Sequence, residues 1–217
     1  MDKKKINKIL TPKIPRGLKE IQSLKRRIEN EDYFSEIMVC NIDIDGERAD
    51  HISVSEALFR NVNFREVAFR FIDLTDVRFE NCDLSNADFS NGILHRVEMI
   101  NCKIVGINLA DASLQNITFN QCNGDYSNIS FASLKGINFI DSSFNSVSFE
   151  NSKLAKVAFE NVNLRQADII KATVKGIDFS DSDIEGLSCD IRDLYGIIVS
   201  PIQALSLSRI LGIVIKE

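Results

Sequence analysis

The 217-residue chain is 44% apolar and 26% charged, with ten Gly, three Pro, no Trp and five Cys, a balance that excludes disordered, collagen-like and proline-rich classes and offers no run of the roughly 20 apolar residues that a membrane-spanning helix needs. Residues 1–30 carry ten Lys and Arg against three acids, and residues 31–217 carry 16 bases and 28 acids, so the net charge of −5 joins a basic arm of +7 to an acidic body of −12. Such a body is expected to repel nucleic acid, and five Cys without CxxC spacing indicate reduced thiols in a cytoplasmic protein.

Residues 1–33 read as a basic arm followed by a cap. Met1-Asp2-Lys3-Lys4-Lys5 precedes no continuous apolar block, which argues against a secretory signal. Thr11-Pro12-Lys13-Ile14-Pro15 reads as extended chain. From Gly17 to about Asn30 the stripe Leu18, Ile21, Leu24 and Ile28 predicts a short amphipathic helix covering the first turn of the body. The clusters Lys3–Lys5 and Lys25–Arg27 offer a nucleic-acid or membrane contact, although such runs are more often solvated faces.

Residues 34–199 form the body, and their period is five. Taking every fifth residue from Phe59 to Leu194 gives 28 positions, of which 26 are large and apolar and 20 are Leu or Phe. Two residues before each lies a second, mostly small set that includes Ala57, Val67, Cys82, Ala87, Cys102, Ala112 and Cys122. Neither a helix nor a strand repeats at five. If each pentad is one side of a square coil, four pentads make a 20-residue turn, and like residues stack. Sorting by 20 does group them: Leu74, Leu94, Leu114, Leu134 and Leu154 fall on one side. The next side carries Phe59, Phe79, Met99, Phe119, Phe139, Phe159 and Phe179. Asn, Asp or Gly at the end of many pentads, as at Asn61, Asp76, Asn91, Gly106 and Gly136, suits corners that need positive φ.

No active site, cofactor or metal centre emerges from the body. Cys82, Cys102 and Cys122 stack at spacing 20, but they occupy the small inward position and no His joins them, so they read as compact apolar residues. His51 and His95 lie on different coils without partners for a triad. Gly124 leaves a gap at a central position, which reads either as a bulge that re-aims Tyr126 or as space that Phe144 on the same side fills. Outward apolar residues include Phe71, Phe131, Ile140 and Ile170, with Phe131 and Ile170 two coils apart near one corner. With Tyr126, Asp111 and Glu150, residues Phe71, Phe131 and Ile170 are the candidates for contact with a partner.

Residues 200–217 form a C-terminal element. Ser200-Pro201-Ile202-Gln203 combines an N-cap, a Pro at the first helical position and a Gln that completes a capping box. The predicted helix runs from about Pro201 to Leu211 and stops at Gly212. Ile202, Ala204, Leu205, Leu207, Ile210, Leu211 and Ile213 exceed what one capped coil needs, and are expected to form a homodimer interface.

Pentads such as Ala87-Asp88-Phe89-Ser90-Asn91 and Ala167-Asp168-Ile169-Ile170-Lys171 closely resemble the pentapeptide-repeat family, over residues 55–195 and, with weaker pentads, from about residue 40. The resemblance implies an all-β solenoid, a right-handed quadrilateral β-helix, with an N-terminal cap and a C-terminal α-helix. Seven coils at ~4.8 Å per stacked strand make a rod about 34 Å long, and a tail-to-tail pair of about 70 Å matches roughly 20 base pairs of duplex. Acidic body and apolar tail together resemble the Qnr-type, quinolone-resistance members. That likeness implies a DNA-mimicking homodimer that binds DNA gyrase or topoisomerase IV, inhibiting it or protecting it from quinolones. The long loops of some Qnr-type proteins are missing here, because the register breaks nowhere except at Gly124. A structural or adaptor repeat protein with an unrelated protein partner is the alternative.

Overall fold

The computed structural model describes residues 6–21, 23, 28–214 and 216. Every fifth residue from Glu31 to Gly176 has positive φ, between 46° and 82°, so the chain turns a corner once per pentad, and coiling begins earlier than the sequence pattern shows. Asn and Asp fill many of these corners because they tolerate the left-handed region. The result is a parallel quadrilateral β-helix of about seven turns.

Two sides of six successive coils are continuous strand. Strands β4 (Ser53–Arg60), β5 (Asp73–Glu80), β6 (Ile93–Ile100), β7 (Ser113–Asn120), β8 (Ser133–Ile140) and β9 (Lys153–Glu160) pair in parallel in a strict 20-residue register, as in Leu74↔Leu94 and Phe79↔Met99. Their first halves form face 1, centred on the Leu column, and their second halves face 2, centred on the Phe column. Faces 3 and 4, which follow in each coil, carry only isolated bridges such as Asp83↔Lys103 and Asp88↔Asn108. The sequence explains this difference. On faces 3 and 4 the residue before the central one is often Asp or Asn, and its side chain accepts the N–H two residues on, as Asp83 does from Ser85 (2.9 Å), Asp168 from Ile170 (2.9 Å) and Asn163 from Arg165 (3.1 Å). These local bonds bend the backbone out of the extended line.

The core is a set of stacked columns. Phe59–Phe79, Phe119–Phe139, Phe139–Phe159 and Phe159–Phe179 stack at 4.9–5.3 Å between ring centroids, within 20° of parallel, and Met99 is fully buried in the gap of the column. A Cβ on Gly124 would come within 2.7 Å of Phe144 Cδ1, so the Phe144 ring fills the space that the missing side chain leaves. The three stacked thiols each donate to backbone carbonyls, Cys82 to those of Phe59 and Glu80, Cys102 to those of Phe79 and Ile100, and Cys122 to those of Met99 and Asn120. Burial and the adjacent thiol act together here: Cys102 and burial hold Cys82 well above the ordinary thiol range.

The N-terminal segment departs from the sequence expectation. Over Lys19–Ile21 the predicted helix is instead strand β1, which pairs with β3 (Ile37–Cys40) at an 18-residue offset, and β2 (Tyr33–Ser35) pairs with β4. A free strand edge on the first coil outcompetes the helical stripe, because pairing satisfies a whole row of backbone groups. Leu24 and the Lys25–Arg27 cluster of the expected helix, like Lys3–Lys5, lie outside the described residues.

Residues 6–13 do something the sequence did not announce: they run back along the corner between faces 1 and 2, past coil after coil. Lys13 N–H donates to Asp76 Oδ1 (2.9 Å), Leu10 N–H to Asn116 Oδ1 (3.3 Å) and Asn7 N–H to Asn138 Oδ1 (3.2 Å). Asn138 Nδ2 returns a bond to the Asn7 carbonyl (3.0 Å), and Asn7 Nδ2 donates to the Lys156 carbonyl (2.8 Å). Gly136 makes room for the arm, since a Cβ there would meet Ile9 Cγ2 at 3.3 Å.

At the other end, helix α1 (Pro201–Leu207) begins on the expected capping box, with Ser200 N–H donating to Gln203 Oε1 (2.7 Å) and Gln203 N–H to Ser200 Oγ (3.3 Å). A 3-10 turn continues it over Ser208–Leu211 to Gly212 in the left-handed region. Gln203 Nε2 also donates to the carbonyls of Phe179 (2.9 Å) and Ser182 (2.6 Å), which ties the helix to the last coil.

Candidate functional site: the faces of the rod

Apolar columns line the interior, including a cavity of about 790 Å³ at its N-terminal end bounded by Ile21, Phe34, Ile37, Val39, Phe59 and Phe79, so polar chemistry is confined to what the four faces present. Faces 2, 3 and 4 are acidic. Face 2 carries Glu80, Glu98, Asp141, Glu160, Asp178 and Asp181; face 3 carries Asp43, Asp45, Glu66, Asp83, Asp183 and Glu185. Several cations on these faces sit beside a carboxylate of an adjacent coil: Arg60 on Glu80 (2.8 Å), Arg78 on Glu98 (2.7 Å), Lys103 on Asp83 (3.6 Å) and Arg165 on Asp183 (3.2 Å). The remaining acids set the sign of the surface.

Face 4 gathers the residues singled out for partner contact. Phe71, Asp111 and Phe131 stand on its corner with face 1, Glu150 and Ile170 stand one position before that corner, and Tyr126 stands on its other edge. Phe71, Tyr126 and Phe131 have φ of 57°, 61° and 58°, a backbone region that costs a bulky side chain energy, yet Tyr126 is 65% exposed and Phe131 58%. Burial does not repay that cost for these rings. Phe71 is exposed too, and stacks on His51 with centroids 4.7 Å apart. Ile170 is half-buried and sits two coils, about 10 Å, below Phe131.

Both histidines are engaged in surface packing. Arg96 Nη1 lies 3.1 Å from each ring nitrogen of His95, and burial together with the Arg96 charge lowers the His95 pKa. Arg96 in turn forms a bidentate pair with the buried Asp76, at 2.5 and 2.6 Å. That hydrogen bond, joined by the Lys13 N–H, holds the Asp76 carboxyl below its usual range. Among the described residues no cluster of three His, Cys, Asp or Glu is placed to hold a metal ion.

The C-terminal end is apolar. Ile202 (78%), Leu205, Ile210, Ile213 and Val214 (91%) are exposed, as are Ile191, Tyr195 and Ile198 of the preceding chain. Ala204 is exposed as well, Leu207 packs against the core, and the side chain of Leu211 lies outside the described ones. No helix is long and apolar enough to cross a membrane among the described residues.

A pentapeptide repeat region is matched over residues 72–145, and pentapeptide repeats in eight copies over residues 142–181. Comparison with curated proteins finds no match. Among solved structures the chain is similar to full-length QnrB1, a plasmid-mediated fluoroquinolone resistance protein, with 23% identity over 89% of this chain and 95% of that one and a TM-score of 0.44. It is also similar to HetL, a pentapeptide repeat protein involved in heterocyst differentiation regulation from the cyanobacterium Nostoc sp. strain PCC 7120, with 16% identity over 81% and 92% of the two chains and a TM-score of 0.33.

Proposed function

The chain belongs to the pentapeptide-repeat family, and from that premise we propose that it is a DNA-mimicking binding protein that engages a type II topoisomerase, DNA gyrase or topoisomerase IV, and inhibits it or protects it from quinolones. The observation that carries this reading is the unbroken 20-residue register, which distributes an excess of carboxylates over three faces along a narrow rod. A cationic groove shaped for duplex grips a rod from several sides at once, and opposite charge accelerates the encounter. Two copies joined through Ile202, Ala204, Leu205, Leu207, Ile210, Leu211 and Ile213 give the groove a two-fold partner about 70 Å long, at ~4.8 Å per coil. With no loop inserted between β4 and β9, competition with DNA is the expected mode of action.

The test is a supercoiling assay with purified gyrase, with and without ciprofloxacin. The protein should inhibit supercoiling at low salt and lose that effect as ionic strength rises. Failure to co-purify with either gyrase subunit at low salt would sink the reading. One observation favours a second, adaptor reading: the exposed rings of face 4 spend strain on display, as a hot spot for an unrelated protein would. That reading requires Phe131→Ser to abolish partner capture, with charge reversal on face 2 or 3 leaving it unchanged.

A further inference from the structure

Face 1 breaks the rule that the other faces follow. Its N-terminal half is acidic, with Glu36, Glu56 and Asp73, whereas its C-terminal half bears Lys135, Lys153, Lys156 and Lys175, with Lys171 on the adjoining corner and one acid, Asp193, beside Arg192 in the last coil, where it accepts the Asp190 N–H. The arm brings Lys8 to the same field, since Asn7 bonds the Lys156 carbonyl and Ile9 packs over Gly136. All six ammonium groups belong to exposed residues, and none is within an ion-pair distance of a carboxylate among the described residues, in contrast to Arg60, Arg78, Arg96 and Arg165. Register places the body lysines on three successive coils, so they occupy a strip about 10 Å tall at ~4.8 Å per coil. Between them the side chains are short: Ser133, Ala155, Thr173 and Gly176.

Two exposed rings bracket the strip. Phe131 stands on the corner just before Ser133, and Tyr195, 73% exposed, continues the column of Lys135, Ala155 and Lys175. Lys175 Nζ lies 5.2 Å from the centre of the Tyr195 ring. A shallow strand surface with uncompensated cations and exposed rings is the arrangement that holds a single nucleic-acid strand, phosphates on the lysines and bases stacked on the rings. Duplex DNA keeps its bases out of reach of such rings, and an anionic membrane needs no stacking at all.

We propose that the C-terminal half of face 1 is a binding surface for single-stranded nucleic acid, with Lys135, Lys153, Lys156 and Lys175 on the phosphates and Phe131 and Tyr195 as stacking platforms. This confines the electrostatic exclusion of nucleic acid to the three acidic faces. It is independent of the topoisomerase reading, which uses those other faces.

The experiment measures fluorescence anisotropy of a labelled dT12 strand titrated with the full chain at 50 mM salt. Binding should weaken about 50-fold between 50 and 200 mM salt if those four lysines each release a counterion. Lys153→Glu combined with Lys175→Glu should weaken binding by roughly tenfold or more, and Lys103→Glu on face 3 should leave it within about twofold. Tyr195→Ser or Phe131→Ser should each cost about fivefold or more, the signature of stacking. Circular dichroism melts certify that each variant is folded. Absence of dT12 binding at 50 mM salt overturns the proposal, as does equal binding by the double lysine variant. Equal affinity for a 12-base-pair duplex, or binding only to vesicles containing phosphatidylserine, assigns the lysines to another anion and overturns it too.

Discussion

At Gly124 a missing side chain and an oversized neighbour form one packing unit. Gly124→Ala should destabilise by about 1–3 kcal/mol through overpacking against Phe144, and Phe144→Ala by about 3–5 kcal/mol through the cavity it leaves. Combining Gly124→Leu with Phe144→Ala should recover part of the loss, and a double-mutant cycle in urea measures that coupling. The thiols make a second residue-scale prediction. Cys82, Cys102 and Cys122 are at most 3% exposed, and Cys40 and Cys189 are half-buried. Burial, followed by the charges of Asp193 and Asp190, pushes Cys189 up to about 11. A thiol reagent at pH 8 should therefore modify Cys40 and Cys189 slowly and reach the other three only after denaturation, which mass spectrometry can follow.

At the scale of elements, the arm depends on Asp76, which joins Lys13 to Arg96. A carboxyl whose folded pKa is depressed adds stability above its unfolded value of about 3.9, and that contribution disappears as pH falls through the folded value. Protection of the amides of residues 7–13, taken relative to their intrinsic exchange rates, should begin to fall below about pH 4 and be lost as Asp76 protonates. Asp76→Ala should free the arm at pH 7 and lower stability by about 3 kcal/mol, because Arg96 is left without its partner in a largely buried position. The coils were legible in the sequence because their determinants are local: a central Leu or Phe, a small residue two before it, and Asn, Asp or Gly at corners. The capping box at Ser200 was legible for the same reason. The arm was not, since its bonds join residues 63 to 149 apart and use backbone N–H groups that carry no sequence signal. The helix expected over residues 17–30 failed over Lys19–Ile21 because a strand edge elsewhere in the fold, invisible in a local pattern, claimed that segment.

For the whole molecule, the predicted assembly is the dimer through the apolar end. Leu205→Asp, at an exposed position of α1, should convert a dimer to a monomer in sedimentation while leaving the thermal melt of the coils within a few degrees. The lysine field shows what charge totals conceal. A net value for residues 31–217 averages four faces, and only sorting by 20 separates the half-face whose lysines have no ion-pair partner among the described residues. The candidate face 4 was half legible in the same way: Phe131 and Ile170 could be aligned by counting, whereas the strain and exposure that single out Tyr126 and Phe71 needed coordinates.

A stack of coils in which each touches only its neighbours would ordinarily behave as a chain of weakly linked units, free to fray from either end. Residues 7–13 alter that, because a segment fastened to Asp76, Asn116, Asn138 and Lys156 can seat only when all the intervening turns exist. A segment that precedes the coils in the chain is thus the last to find its place, and it works as a seal that rewards completion.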